Sequence, residues 1–165
     1  AVRLLFPLGL LGLALWLLRQ DIARRTVRER GLTRFIAVCL LTGYGWLAVG
    51  GLSLLAAGGV LPGTVGYDAG LHAVLLGFVF AMVFGHAPII LPAVLRVKLP
   101  YAPVFYLPLA LLHAGVALRM AGDAVGALGV VRAGGVANAV ALGVFIVTAA
   151  TAVVRGRRGG ARRPA

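Results

Sequence analysis

Five stretches of this chain, residues 2–18, 35–57, 69–91, 104–121 and 134–154, consist almost wholly of apolar side chains. Of the 16 Lys and Arg residues only Arg3 and Arg119 fall inside them, and none of the four Asp and Glu does. At ~1.5 Å of rise per residue, about 20 such residues cross a hydrocarbon core as a helix. Four stretches are near or above that length, and the first is short. A soluble domain of 165 residues has no interior large enough to hide five of them, and it needs more surface charge than the 12% present here. The sequence therefore predicts an all-α, polytopic integral membrane helix bundle with about five spans, occupying residues 1–154 as one domain. A basic cytoplasmic tail, 155–165, is expected to be disordered.

The charges locate the loops. Arg19, Arg24, Arg25, Arg28, Arg30 and Arg34 follow the first stretch, Arg96 and Lys98 the third, and Arg155, Arg157, Arg158, Arg162 and Arg163 the fifth. With five spans these thirteen fall on one side and Arg3, Arg119 and Arg132 on the other. Cytoplasmic loops collect Lys and Arg, so the N-terminus is expected outside and the C-terminus in the cytoplasm. Because the basic residues sit where spans end, the net charge of +12 is read as topology rather than nucleic-acid binding. The expected partners are the lipid bilayer and other copies or membrane subunits. The opening on Ala1 and the short first run, which lacks a small-residue cleavage pattern, suggest a span within a longer chain with further helices upstream.

Smaller features refine this picture. Cys39 stands alone inside a stretch, forms no metal motif, and reads as a small buried apolar residue. "LPGTVGYD", residues 61–68, reads as an external turn. "GDAVGALGVVRA", residues 122–133, is too short to span and reads as an interfacial or re-entrant turn. Gly43, Gly45, Gly50 and Gly51 in the second stretch, and Ala137, Ala139, Ala141 and Gly143 in the fifth, let helices pack closely.

The third stretch holds two histidines, His72 and His86, fourteen residues apart. On a regular α-helix that separation is 40° short of four turns and about 21 Å, so both are expected on one face. Ionisable groups in a membrane helix face protein or a ligand, and neutral imidazole is a natural axial ligand of haem iron. His113, mid-way along the fourth stretch, is a third candidate at another depth. Arg119 lies near the expected depth of His72, where its guanidinium suits a haem propionate; snorkelling or a pair with Asp123 are the alternatives. Pro88 and Pro92 each remove a helical hydrogen bond, so "GHAPIILP" is expected to be a broken helix end near His86.

The histidine spacing is similar to that of transmembrane b-type cytochromes, though only one span here carries the pair. The run 71–123, with "HAVLLGFVFAMVFGHAPIILPA", "FYLPLALLH" and "LRMAGD", resembles a bacterial family of multi-span proteins. More distantly it resembles the NnrS family of haem- and copper-containing membrane proteins, and through them subunit I of haem-copper oxidases. The matching positions are His72-Ala73, Gly77, Met82, Gly85-His86 and Leu118-Arg119. The resemblance implies a bacterial inner-membrane protein that binds haem b through His72, His86 and His113 as iron ligands, with Arg119 on the propionates, in a respiratory or nitrogen-oxide-related redox role. The competing expectation is a cofactor-free transporter-like or scaffold protein whose histidines make interhelical hydrogen bonds. There is no carboxylate pair inside a span, no Ser-His-Asp set and no phosphate-binding loop, so soluble-type catalysis has no support.

Overall fold

The computed structural model describes residues 2–161, with side chains to residue 157; Arg162 and Arg163 of the tail lie outside the described residues. Every regular element is helical. α1 is Val2–Gln20, α2 is the short Ala23–Thr26, and α3 is Gly31–Ala56. The third span runs without a break through α4 (Val65–His72), a π-helical segment (Ala73–Phe80) and α5 (Ala81–Leu95). A 3-10 turn at Pro103–Phe105 leads into α6 (Tyr106–Ala124), and α7 is Leu128–Ala161. Among the described residues, five helices are thus long and apolar enough to cross a membrane.

Three loop expectations are corrected. The 122–133 segment is not a re-entrant element: α6 and α7 extend into it and leave only Val125–Ala127 as the turn. Thr64 accepts a hydrogen bond from the Tyr67 N–H and starts α4, so the 61–68 turn is half helix. The start of the tail is not disordered, because α7 continues to Ala161.

The prolines do not break the third span either. α5 continues through Pro88 and Pro92 to Leu95, and Pro88 is buried. The interruption lies earlier, in the π segment, and the packing gives its cause. Ala69, Ala73, Gly77, Ala81 and Gly85 recur every four residues and are all buried. On a regular α-helix a four-residue repeat drifts about 40° per step, or roughly 160° over this run. Eight residues wound with i→i+5 bonds, at about 4.4 per turn, lag by roughly 150° and cancel that drift. The small residues therefore stay in one straight stripe.

That stripe packs antiparallel on α3. A side chain at Gly70 would strike Leu54, and one at Gly50 would lie 2.6 Å from Val74 and 3.1 Å from the Gly70 carbonyl oxygen. Gly77 lies under the indole of Trp46, Gly43 faces Met82, Phe78 and Ala81, and Gly85 meets Cys39. A second close seam joins α6 to α7, where Gly134 lies against the Arg119 backbone and Gly115 against Asn138. α1 packs on α3, with Gly51 against Leu11 and the Pro7 carbonyl oxygen. At the basic end, aromatic rings close the bundle. Phe84 stacks on Phe145 at 4.0 Å, and Phe35 packs edge-on to Tyr106 at 5.2 Å.

In Gly77→Ala the new methyl carbon would sit 2.6 Å from Trp46 Cβ, in a seam with no slack. We expect a loss of about 1–3 kcal/mol in detergent-denaturation equilibria. Gly45→Ala, whose methyl meets nothing within 4 Å, should stay within about 0.5 kcal/mol of the parent.

Candidate functional site

The π segment determines where the histidines point. His72 immediately precedes Ala73 and His86 immediately follows Gly85, and both of these small residues lie on the α3-facing stripe. One histidine is therefore one residue behind the stripe and the other one residue ahead, on opposite flanks. The expectation that His72 and His86 share a face does not hold, because the wider π turns alter the phase between them. Each is half-buried, and each ring Nδ1 lies 2.8 Å from a carbonyl oxygen four residues back, Asp68 for His72 and Met82 for His86. With Nδ1–H donating to that carbonyl, Nε2 keeps its lone pair.

His113 is placed differently. The indole Nε1–H of Trp46 donates to His113 Nδ1 at 2.8 Å. An indole can only donate, so Nδ1 is the acceptor and the proton sits on Nε2. Nε2–H then donates to Thr42 Oγ1 at 3.0 Å, and the Thr42 hydroxyl donates to the Val38 carbonyl oxygen at 2.7 Å. Both ring nitrogens are used, and the two rings also stack, with centroids 6.1 Å apart. Thr42 and Trp46 are four residues apart on one face of α3, so this relay fastens α6 to α3 at mid-span. The sequence reading missed both partners. Their signal was the i, i+4 spacing of two polar-capable side chains in an apolar helix.

Asp68, His72, Arg119 and Asp123 gather at the end of the bundle opposite the aromatic cluster. Arg119 Nη2 donates to Asp68 Oδ2 at 2.7 Å, and His72 Nδ1 lies 3.4 Å from the same oxygen. Asp123, one turn beyond Arg119, has Asp68, Arg119 and His72 as its charged neighbours. Arg119 therefore pairs with Asp68 on α4 rather than with Asp123 on its own helix. The guanidinium side chain is 19% exposed and Asp68 42%, so the pair lies at the rim of the bundle and is partly hydrated. Two buried atoms within it, Arg119 Nε and Asp123 Oδ2, have no hydrogen-bond partner among the described residues. The Arg119–Asp68 ion pair ties α4 to α6 through charge, with His72 and Asp123 beside it. In the α6–α7 seam, Asn138 is 3% exposed and both side-chain polar atoms lack a hydrogen-bond partner among the described residues.

His72 and His86 lie on opposite flanks of their helix, and the third histidine has no ring nitrogen to spare. No group of three or more His, Cys, Asp or Glu suited to a metal ion occurs among the described residues.

Over residues 1–154 the chain matches the model of a domain of unknown function, DUF8744, and it belongs to that family. No curated protein and no solved structure matches it.

The relay can be measured directly. In a double-mutant cycle of Trp46→Phe and His113→Leu, we expect a coupling of about 0.5–2 kcal/mol in detergent-denaturation equilibria. A coupling near zero would mean the indole and imidazole do not share a proton.

Proposed function

We propose that this member of the DUF8744 family is a multi-span membrane protein that works without a haem of its own, in a transporter-like or scaffold role. Its working centre on this reading is the cluster of Asp68, His72, Arg119 and Asp123. The observation that carries the reading is the commitment of His113. A ring that accepts from Trp46 and donates to Thr42 acts as an interhelical fastener. Among the described residues the charge-rich contact between spans is then the cluster at the α4–α6 end. Asp68 holds Arg119 through an ion pair, so releasing that contact loosens α4 from α6 at one end of the bundle. Ionisable groups that span helices are the usual parts of proton relays and gates.

The thirteen-to-three division of Lys and Arg supports an outside N-terminus and a cytoplasmic C-terminus. The resemblance to bacterial multi-span proteins supports a bacterial cytoplasmic membrane. On this topology the cluster faces outward. A reporter active only in the cytoplasm should work when fused after Arg157 and fail when inserted in the turn before Thr64. The opposite pattern inverts the topology.

One observation favours a second reading, that of a b-type haem protein. The Nδ1 contacts of His72 and His86 to backbone carbonyls are the orientation that prepares Nε2 for an axial bond. Because the two lie on opposite flanks, each would need its second ligand from another copy or subunit. The experiment is a reduced-minus-oxidised visible spectrum of the purified protein beside His72→Ala, His86→Ala and His113→Ala. The first reading predicts no Soret or α-band. A band lost in His72→Ala or His86→Ala, but kept in His113→Ala, would overturn it and establish haem.

A further inference from the structure

The first span is shorter than its neighbour, and its corner is strongly basic. α1 has 19 residues and α3 has 26, about 28 Å and 39 Å of helix. The two are level at one end, where Gly59, just beyond α3, meets the Arg3 backbone and Gly51 meets Pro7 and Leu11. α1 therefore stops well before α3 does. The position of Asp21 marks the stop. It accepts a 2.7 Å hydrogen bond from the hydroxyl of Tyr44, thirteen residues into α3 from Gly31. Allowing for the length of the tyrosine, the corner is set in from the basic end of α3 by roughly 10 Å. α2 lies there against α3 with Ala23 buried.

This recess holds a cavity of about 640 Å³ lined by Arg19, Arg24, Arg25 and Arg28, together with Gln20, Asp21 and Ile22. Its one carboxylate is already engaged. Asp21 Oδ2 is taken by Tyr44, and Oδ1 accepts from the Ala23 N–H at 2.7 Å. None of the four arginines makes an ion pair among the described residues. Trp16, one turn before Arg19, is 59% exposed, as expected of an indole at the level of lipid headgroups. Four exposed guanidiniums without ion-pair partners among the described residues, gathered at the end of a span, fit a phosphate-bearing anion.

We propose that the α1–α2 corner is a binding site for the phosphate of an anionic phospholipid headgroup. The arginines grip the phosphate oxygens while the acyl chains run along the exposed apolar face of α1. The bound lipid supplies the negative charge that the recess lacks and fixes the end of the short first span at the membrane surface.

The test uses the purified full chain. Native mass spectrometry would follow titration with phosphatidylcholine, phosphatidylglycerol and cardiolipin. Trp16 quenching would be read in vesicles doped with brominated forms of the same lipids. Two triple variants serve as a pair: Arg24→Gln/Arg25→Gln/Arg28→Gln in the recess, and Arg96→Gln/Arg155→Gln/Arg157→Gln outside it. We expect cardiolipin and phosphatidylglycerol to bind more tightly than phosphatidylcholine, and the recess variant to lose roughly a hundred-fold of that preference. The variant outside the recess should lose less than about five-fold. Equal loss in both variants would overturn the site in favour of diffuse surface charge. So would equal binding of all three lipids by the parent protein, a result that needs no variant to fold. Binding of inorganic phosphate with no lipid preference would identify the recess as a site for a soluble anion and also overturn the proposal.

Discussion

The contact on which most of the structure depends is the close approach of α3 to the third span. In a bilayer, burying apolar surface between helices gains little, because lipid tails are as apolar as the side chains they replace. Helices must instead be held by dispersion over closely fitted surfaces and by polar contacts. The stripe from Ala69 to Gly85 provides the fit and forces the helix to widen. Each small residue is four positions from the next, so only a wider helix keeps them all against α3. The π segment is the backbone's answer to a packing requirement written in the side chains.

Trp46 links that seam to the rest of the bundle. Its ring covers Gly77 and its N–H holds His113, so α3, the third span and α6 meet around one indole. Removing the side chain from position 77 makes the room, and the imidazole satisfies a donor that hydrocarbon would otherwise leave unpaired. A polar group deep in the bundle is stable there because every member of the chain from Trp46 to the Val38 carbonyl has a partner. The cluster around Asp68 contrasts with it. It is partly exposed at the bundle rim, and Arg119 Nε and Asp123 Oδ2 lack hydrogen-bond partners among the described residues. A fully satisfied network fixes a fold, whereas a partly satisfied one at a helix end has freedom to change state.

Much of the architecture was legible in the residues. The runs of apolar side chains and the clustered arginines determine the number of long helices. The boundaries shifted because α4 starts at a threonine cap rather than where the apolar run begins, and α7 begins soon after the 125–127 turn. Pro88 and Pro92 proved poor guides to a break, since α5 carries both through to Leu95. The candidate site was half legible. The common level of His72 and Arg119 followed from counting residues. Their shared partner, Asp68, did not, because a residue at the edge of an apolar run reads as a loop residue until α4 is seen to include it.

The sequence by itself determined that the chain forms five membrane-length helices with most of its basic residues at one end of them. Those properties follow from local hydrophobicity and charge, which need no partner. Only the tertiary structure decided which way His72 and His86 face, since their phase depends on a helix that widens to fit α3. It also decided that His113 joins Trp46 and Thr42, 67 and 71 residues earlier in the chain. No spacing rule along one helix encodes a proton shared between two.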